Sequence, residues 1–178
     1  MRDDLAYEPL TPKTLPERLK NLDSITSLIG KEAQEWRVTE VGDGNLNLVF
    51  VVEGKSATII VKQALPYVRV VGDSWPLSQK RAFFEHETLS RQAKRDPGSV
   101  PKNYYFDKKQ AIIAMEMLSP HVILRKKLIA GEYVNGLGKT LGHFCARTAF
   151  RGSDLSLPTN EKKKEIEAIT RGFSIDVR

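Results

Sequence analysis

The sequence predicts an α+β fold, in which one helix packs on a five-stranded antiparallel sheet and a further helical region follows. β-Branched or alternating apolar runs occur five times along the chain, which is the pattern of short strands. Short turns separate neighbouring runs, so the strands that they join are antiparallel. One amphipathic segment of helical period lies between the third and fourth runs, and this order of elements indicates a sheet covered by a helix.

The composition suits a globular protein and is compatible with a small polyanionic ligand. The chain has 178 residues and a net charge of +6, which suits one domain with its own core, or one lobe of a two-lobed protein with part of the other. Lys and Arg are spread along the chain, whereas nucleic acid would require a basic stripe with interleaved aromatic residues. ATP is compatible with this charge, and we expect no nucleic-acid partner.

The first residues do not have the pattern of an export signal. Residues 1–10, MRDDLAYEPL, carry charges where a signal peptide would have an apolar run. No stretch approaches the ~20 apolar residues of a membrane span. We therefore expect a soluble, cytoplasmic protein that does not bind membranes.

A helix and three strands are predicted first along the chain. Apolar residues at helical spacing predict an entry helix over residues 14–29. Residues 36–41 and 46–53 have strand patterns. Residues 57–61 form a third apolar run, which ends at Lys62.

A long loop, a helix and two further strands follow. Residues 63–77 contain two prolines and a glycine and form a loop too long for a mere connection. Ser78 is placed to cap a helix over residues 81–93. Residues 102–106 and 111–115 are the last two predicted strands.

The final third of the chain is predicted to be helical at first and then polar. Residues 133–150 have helical apolar spacing, although three glycines weaken it. Cys145 lies among phenylalanines there, which indicates a small buried apolar residue rather than a nucleophile. A metal site built from histidines is not expected, because the three histidines neither cluster nor show ligand spacing: His86, His121 and His143.

The turn between the first two strands has the pattern of a phosphate-binding glycine loop. It reads GDGNLNLV from Gly42, which fits the kinase pattern G-x-G-x-x-G-x-V except at its third glycine, where Asn47 stands. Only bare backbone can approach phosphate oxygens closely enough to donate its N–H groups. A plain hairpin turn with a turn-shaping asparagine is the alternative. A dinucleotide-binding fingerprint is excluded because a strand, not a helix, follows the turn.

Lys62 is the second candidate for a phosphate contact. It follows an apolar run, as the lysine of the kinase V-A-I-K strand does. One hairpin separates it from Asn47, so the paired strands bring Lys62 beneath the glycine turn. Such a lysine requires a carboxylate on the following helix, and Glu85 and Glu87 are both candidates. The alternative is a lysine at a strand end whose ammonium extends to water.

Longer strings of the chain resemble one family of sugar kinases. These strings are GDGNLNLVF at 42–50, IIVKQALPYVRVVGDSWPLSQKRAFFE at 59–85 and ILRKKLIAGEYV at 123–134. Through them the chain resembles the 5-methylthioribose kinases, which have a protein-kinase-like fold and are related to choline kinases and aminoglycoside phosphotransferases. The resemblance runs from about residue 4 to about residue 165. It implies a kinase-like N-terminal lobe followed by the beginning of a helical C-terminal lobe.

The resemblance also implies an activity and a set of binding residues. The activity is transfer of the γ-phosphoryl group of ATP to the 1-hydroxyl of 5-methylthioribose in methionine salvage, by a magnesium-dependent homodimer. The residues at Glu116 to Leu118 would bind the adenine edge, and the loop around Trp75 would lie near the substrate. The implied cofactor-binding residues are Gly42, Gly44, Asn45, Asn47, Lys62, Glu85, Glu116, Met117 and Leu118.

The chain departs from the family pattern in its catalytic strings. Neither the H-G-D-x-H loop that carries the catalytic aspartate nor the D-x-E motif of the magnesium ligands occurs in it, so we expect no catalytic residue and no metal ligand here. We expect an extension at 1–34, an ATP-binding lobe at 35–118 and the start of a truncated C-terminal lobe at 119–178. A non-catalytic nucleotide-binding or dimerising module, and a kinase for another alcohol, are the alternatives.

Overall fold

The structure, a computed structural model, describes residues 6–42 and 44–170, apart from the side chain of Asp73. The chain divides into two compact units. The first contains the residues up to Leu89 and Lys102–Met117, and the second contains Ser90–Pro101 and the residues from Leu118 onward. The domain boundaries expected from the sequence, at 34/35 and 118/119, stay predictions.

A five-stranded antiparallel sheet forms the centre of the first unit, as the sequence predicted. Its strands follow the spatial order β1-β2-β3-β7-β6, and every neighbouring pair is antiparallel. The strands are β1 (Arg37–Glu40), β2 (Asn47–Glu53), β3 (Thr58–Ala64), β6 (Asn103–Asp107) and β7 (Ile112–Glu116). The fold is thus the α+β arrangement of a kinase-like N-terminal lobe.

The larger core of the first unit lies between one face of this sheet and the N-terminal segment. Alternate residues of β2 and β3 point to this face. Two short helices, α1 (Leu15–Leu19) and α2 (Asp23–Ile29), cover it. The buried residues of this core are Leu10, Leu15, Leu19, Ile25, Ile29, Ala33, Trp36, Leu48, Phe50, Val52, Ile59, Val61, Leu65, Ile112 and Ala114.

The opposite face of the sheet packs against helix α3 (Lys80–Arg95). Ala82 and Leu89 of the helix contact a smaller apolar cluster on the sheet. Ser78 Oγ accepts a hydrogen bond from the N–H of Lys80 at 3.3 Å, as expected of the predicted cap. The other members of the cluster are Ile60, Ala64, Phe106, Ala111, Ile113 and Met115.

The prediction of a single entry helix over residues 14–29 is wrong, because the segment forms two helices. Leu22 has an extended backbone, with φ −98° and ψ 105°, between α1 and α2. The N–H of Leu22 closes the first helix on Leu19 at 3.0 Å, and its carbonyl oxygen starts the second. Leu22 itself packs on the core. The bend therefore lets both helices and the residue between them contact the sheet.

The segment predicted as a loop at 63–77 also contains structure that the sequence did not reveal. Strand β3 continues through Lys62 to Ala64, and a separate two-stranded sheet follows, with strands β4 (Tyr67–Val68) and β5 (Gly72–Pro76). Gly72 adopts φ +67°, which a glycine accepts at no steric cost. This conformation allows the short turn between the two strands.

The second unit is helical in its described residues. It contains α4 (Leu124–Ile129), α5 (Leu137–Thr148), α6 (Thr159–Thr170) and the last residues of α3. Arg95 Nη2 donates to both carboxylate oxygens of Glu165 in α6, at 2.7 and 2.9 Å. Arg147 Nη1 of α5 donates to Asp96 Oδ1 at 2.8 Å. These charged contacts connect both helices to the end of α3.

The prediction that Cys145 is buried is wrong, because the structure leaves this residue exposed. It lies in α5, whose buried residue is Thr148 at the C-terminal end. The elements of the second unit thus cover the end of this helix and not the surface on which Cys145 lies.

Among the described helices of the chain, none is long and apolar enough to cross a membrane.

Candidate functional site

The glycine turn connects β1 with β2 at one end of the sheet. Its entry is closed by a hydrogen bond of 2.8 Å from the N–H of Val41 to the carbonyl oxygen of Val49. The carbonyl oxygen of Asn45 accepts from the N–H of Arg69 at 2.8 Å, and that of Leu46 accepts from Leu65 at 3.1 Å. The turn is therefore anchored to the chain that follows β3. Asp43, in the middle of the motif, lies outside the described residues.

Of the two glycines in this turn, Gly44 is the one at which a side chain would not fit unless the neighbouring backbone moved. A Cβ atom built there would overlap the carbonyl oxygen of Asn47. A Cβ on Gly42 would meet no atom within 4 Å. The two glycines of the motif therefore have different roles, since only Gly44 is required by close backbone packing.

Strand pairing brings Asn47 and Lys62 to the same face of the sheet. Val49 of β2 is paired with Lys62 of β3, and Asn47 is paired with Ala64. Directly paired residues lie on one face, and so do residues two apart on a strand. This face is the one that packs against α3.

Lys62 forms an ion pair with Glu85 of α3. Its Nζ donates a hydrogen bond to Glu85 Oε1. The side chains of Lys62 and Glu85 are 25% and 35% exposed, so the pair lies at the border of the packed interior. Of the two glutamates considered from the sequence, Glu85 is thus the partner. The pair combines a positive charge with a carboxylate that fixes its position.

Arg81 is a further charged residue at this place, and the sequence reasoning missed it. It lies one helical turn before Glu85 on α3. Its Nη2 donates to the carbonyl oxygen of Leu46 and, at 3.3 Å, to Asn47 Oδ1. Its spacing of four residues from Glu85 was the only available signal, because contacts with Leu46 and Asn47 arise from the tertiary fold.

Burial alters the acidity of two groups near the turn. It lowers the pKa of Arg81, while the nearby Tyr7 and Glu85 act in the opposite direction by favouring the charged guanidinium. Burial also raises the pKa of Tyr7, whose hydroxyl donates to the carbonyl oxygen of Ala64 at 3.1 Å. Arginine remains protonated in proteins at neutral pH, so the site keeps two cationic side chains, Lys62 and Arg81.

The three residues expected to bind the adenine edge lie at and after the end of β7. Glu116 is the last residue of this strand and is paired with Ile59 of β3. Its N–H donates to the carbonyl oxygen of Lys102 at 2.9 Å, and its carboxylate accepts from the N–H of Lys102 at 3.1 Å. Met117 and Leu118 follow the strand, and both side chains are exposed.

Trp75 lies apart from the main sheet. It is in β5 of the two-stranded sheet, and its side chain is exposed. The structure thus brings Asn47, Lys62 and Glu85 to one face of the large sheet and places Trp75 on a different element. Within residues 6–42 and 44–170, no group of three or more His, Cys, Asp or Glu side chains could hold a metal ion.

Comparison with known proteins confirms the family resemblance. The chain is 46% identical over 171 residues to methylthioribose kinase of Escherichia coli O45:K1. The match covers 96% of this chain and 40% of that protein. It is 46% identical over 164 residues to methylthioribose kinase of Geobacillus thermodenitrificans, and 37% identical over 161 residues to methylthioribose kinase 2 of Oryza sativa subsp. japonica. These two matches cover 89% and 90% of this chain and 39% and 38% of the relatives.

The chain spans about two fifths of the length of the curated relatives that it matches, as the shares of 40%, 38% and 39% show. A separate comparison found no protein-family model that matches the chain.

Proposed function

We propose that this chain, as a relative of the methylthioribose kinases, forms the nucleotide-binding part of an enzyme that phosphorylates 5-methylthioribose in methionine salvage. The γ-phosphoryl group of ATP would pass to the sugar 1-hydroxyl, so that a P–O bond to ADP breaks and a P–O bond to the sugar forms. The observation that carries the proposal is the Lys62–Glu85 ion pair, which lies on the same face of the sheet as Asn47 of the glycine turn.

Lys62 would supply the positive charge that holds the nucleotide phosphates. Kinases perform little covalent chemistry of their own and act mainly by positioning the phosphates and stabilising their charge. A lysine ammonium is mobile unless a partner holds it. Glu85 would restrain the ammonium of Lys62 by their ion pair, so that ATP meets a charge already in place.

The glycine turn would cover the phosphates with backbone N–H groups. In this role Gly42 and Gly44 leave the backbone free of side chains. Asn45 and Asn47, later in the same turn, would also contact the nucleotide. Glu116, Met117 and Leu118 would bind the adenine edge through their main-chain groups. Trp75 would lie near the acceptor sugar.

The magnesium ion of such a reaction is not assigned to residues of this chain. The described residues hold no cluster of metal-ligating side chains, and the chain contains neither an H-G-D-x-H nor a D-x-E string. The ligands and the base that accepts the proton of the sugar hydroxyl would lie elsewhere in a complete kinase. The complete enzyme would be a cytoplasmic homodimer.

The alternative function is a non-catalytic one. A protein that binds nucleotide but lacks the catalytic aspartate would act as a non-catalytic binding or dimerising module. A kinase for another alcohol is disfavoured because the relatives named above are all methylthioribose kinases. Nucleotide binding is common to all these functions, whereas turnover distinguishes them.

The proposal is tested by measuring binding and turnover separately. Titration calorimetry with ATP should show binding by the 178-residue chain. A coupled assay of ATP consumption should show a rate with 5-methylthioribose at least about a hundredfold below that of the complete Escherichia coli relative, because electrostatic stabilisation of the transition state is lost. Absence of ATP binding would contradict the proposal. Turnover at the relative's rate would show that the catalytic groups lie within this chain.

A further inference from the structure

Arg81 contacts the glycine turn at the residue where the kinase pattern expects a third glycine. Its guanidinium lies between α3 and β2 and makes three hydrogen bonds. Nη1 donates to the carbonyl oxygen of Ser78 at 3.0 Å, and Nη2 donates to the carbonyl oxygen of Leu46 and to Asn47 Oδ1. The arginine thus connects the start of α3 with the exit of the turn.

The contact with Arg81 determines which way round the Asn47 amide lies. A guanidinium has only donors, so the atom of Asn47 that faces it is the acceptor Oδ1. The amide group is planar, and its Nδ2 is therefore on the branch away from the contact with Arg81. Among the described residues no acceptor takes a hydrogen bond from Nδ2, so its two N–H donors can serve another acceptor. Phosphate oxygens are acceptors of the kind that these donors fit.

We propose that Arg81 is a positioning residue that fixes the Asn47 amide so that its N–H groups bind a nucleotide phosphate. This inference rests on the proposed nucleotide-binding function. It gives Asn47 a physical role at a position where a glycine would offer its backbone N–H. Arg81 acts through Asn47 and does not itself require contact with the nucleotide.

A lysine could not perform this task equally well. The planar fork of arginine reaches Leu46, Asn47 and Ser78 at once, whereas a lysine offers a single nitrogen on a flexible stem. The carboxylate of Glu85 stabilises the charge of Arg81. A lysine at 81 therefore keeps the positive charge and removes the bridging geometry.

The test compares Arg81→Lys with the unaltered chain by titration calorimetry. We expect the affinity for ATP to fall about five- to tenfold, the scale of one lost hydrogen bond. The affinity for adenosine, which has no phosphate, should stay within twofold. Arg37→Lys is the matched control, because Arg37 is exposed on β1 and pairs with Glu53 at 3.4 Å, away from the turn. It should change neither affinity.

Asn47 variants test whether Arg81 acts through this residue. In Asn47→Ala, the further change Arg81→Lys should alter ATP affinity less than twofold, because the group to be positioned is gone. Asn47→Asp keeps an acceptor for Arg81 but replaces the N–H donors with a negative charge. It should therefore weaken ATP binding more than Asn47→Ala does, while its melting temperature stays at or above that of the unaltered chain.

The outcomes separate this inference from the proposed function. If the unaltered chain binds no ATP, the proposed function fails and the inference with it. If it binds ATP and Arg81→Lys binds equally well, only the inference is wrong. An equal loss of ATP and adenosine affinity would reduce Arg81 to a structural role and overturn the inference. An undiminished effect of Arg81→Lys in the Asn47→Ala background would do the same.

Discussion

Single residues of the glycine turn differ in what their surroundings permit. Gly44 lies so close to the carbonyl oxygen of Asn47 that no Cβ fits, whereas Gly42 has open space around its Cα. Lys62 and Glu85 are only partly exposed, so solvent screens their attraction incompletely. At this scale the site consists of one position that excludes a side chain and one charge held by a partner.

Gly44→Ala should weaken ATP binding by about tenfold, or ~1.4 kcal/mol. The added methyl group must displace the carbonyl oxygen of Asn47, and the turn moves with it. Gly142→Ala in α5 is the matched control, since its methyl group meets no atom within 4 Å and the residue lies outside the glycine turn. Fluorescence titration with a labelled ATP measures both variants. Equal effects of the two substitutions would show that close packing at Gly44 does not matter for the nucleotide.

Lys62→Ala should weaken ATP binding by roughly 1–3 kcal/mol, the scale of a lost charge-assisted hydrogen bond. The protein should remain folded, because the ion pair is accessible to water at one side. Lys55→Ala removes an exposed lysine from the turn between β2 and β3 and serves as the control. Calorimetric titration measures the ATP affinity of both variants. Unchanged affinity in Lys62→Ala would remove Lys62 from the site.

At the scale of elements, two glutamines attach the N-terminal segment to the sheet. Gln63 of β3 is fully buried: its Oε1 accepts from the N–H of Leu10 at 2.7 Å, and its Nε2 donates to the carbonyl oxygens of Glu8 and Gln110 at 2.9 and 3.1 Å. Gln110 binds the same segment through the N–H of Glu8 and the carbonyl oxygen of Ala6, at 3.1 and 3.0 Å. Both side chains therefore hold the N-terminal segment against β3 and the turn between β6 and β7.

Gln63→Leu should lower the free energy of unfolding by roughly 2–4 kcal/mol. The leucine fills a similar volume but leaves buried backbone groups without their hydrogen bonds, including the N–H of Leu10. Urea denaturation measures the change. Gln34→Leu, at an exposed glutamine bonded to Glu32, should remain within about 0.5 kcal/mol. A loss of under 1 kcal/mol in Gln63→Leu would mean that the segment is held by apolar packing alone.

On the scale of the whole molecule, the interactions that stabilise the first unit differ from those that stabilise the second. The first has two apolar clusters on the two faces of its sheet. The described residues of the second expose large apolar side chains such as Ile129 and Tyr133, and charged pairs connect α5 and α6 to residues 95 and 96. We therefore expect the stability of the second unit to depend more strongly on pH than that of the first.

Asp96 gives this expectation a defined direction. Hydrogen bonds from Ser99 Oγ and Arg147 Nη1, at 2.5 and 2.8 Å, hold the pKa of its carboxyl below the ordinary value of 3.8. A carboxyl whose pKa is lowered by folding stabilises the protein above its unfolded-state pKa, and this contribution is lost as the pH falls through the folded-state pKa. The contribution is thus complete at neutral pH, begins to fall near pH 4 and is lost as the pH passes below the folded-state pKa.

Asp96→Asn should therefore be less stable than the unaltered chain at pH 7, and the difference should shrink as the pH falls below about 4. Denaturation midpoints between pH 7 and pH 2.5 measure it, with a probe on α5. Asp154→Asn is the control, because Asp154 is exposed and its contact with Lys162 is 3.7 Å long. A difference that stays constant over this range would show that ionisation of Asp96 is not what stabilises the unit.

The sequence predicted those parts of the site whose signal is local or is set by strand pairing. The glycine turn, the strand with Lys62 and the helix with Glu85 follow from periodicity and motif spacing. Pairing of β2 with β3 then places Asn47 and Lys62 on one face. Arg81 could not be predicted in this way, because its contacts with Leu46 and Asn47 join residues more than thirty positions apart.

The sequence by itself predicted the five strands, the antiparallel character of the sheet and the covering helix, since alternation, short turns and an amphipathic period are properties of neighbouring residues. Only the tertiary structure decided that Leu22 divides the entry helix, that Cys145 is exposed and that Gln63 binds the N-terminal segment. These outcomes depend on which distant surface each residue meets, and burial and buried hydrogen bonds outweigh local preference there.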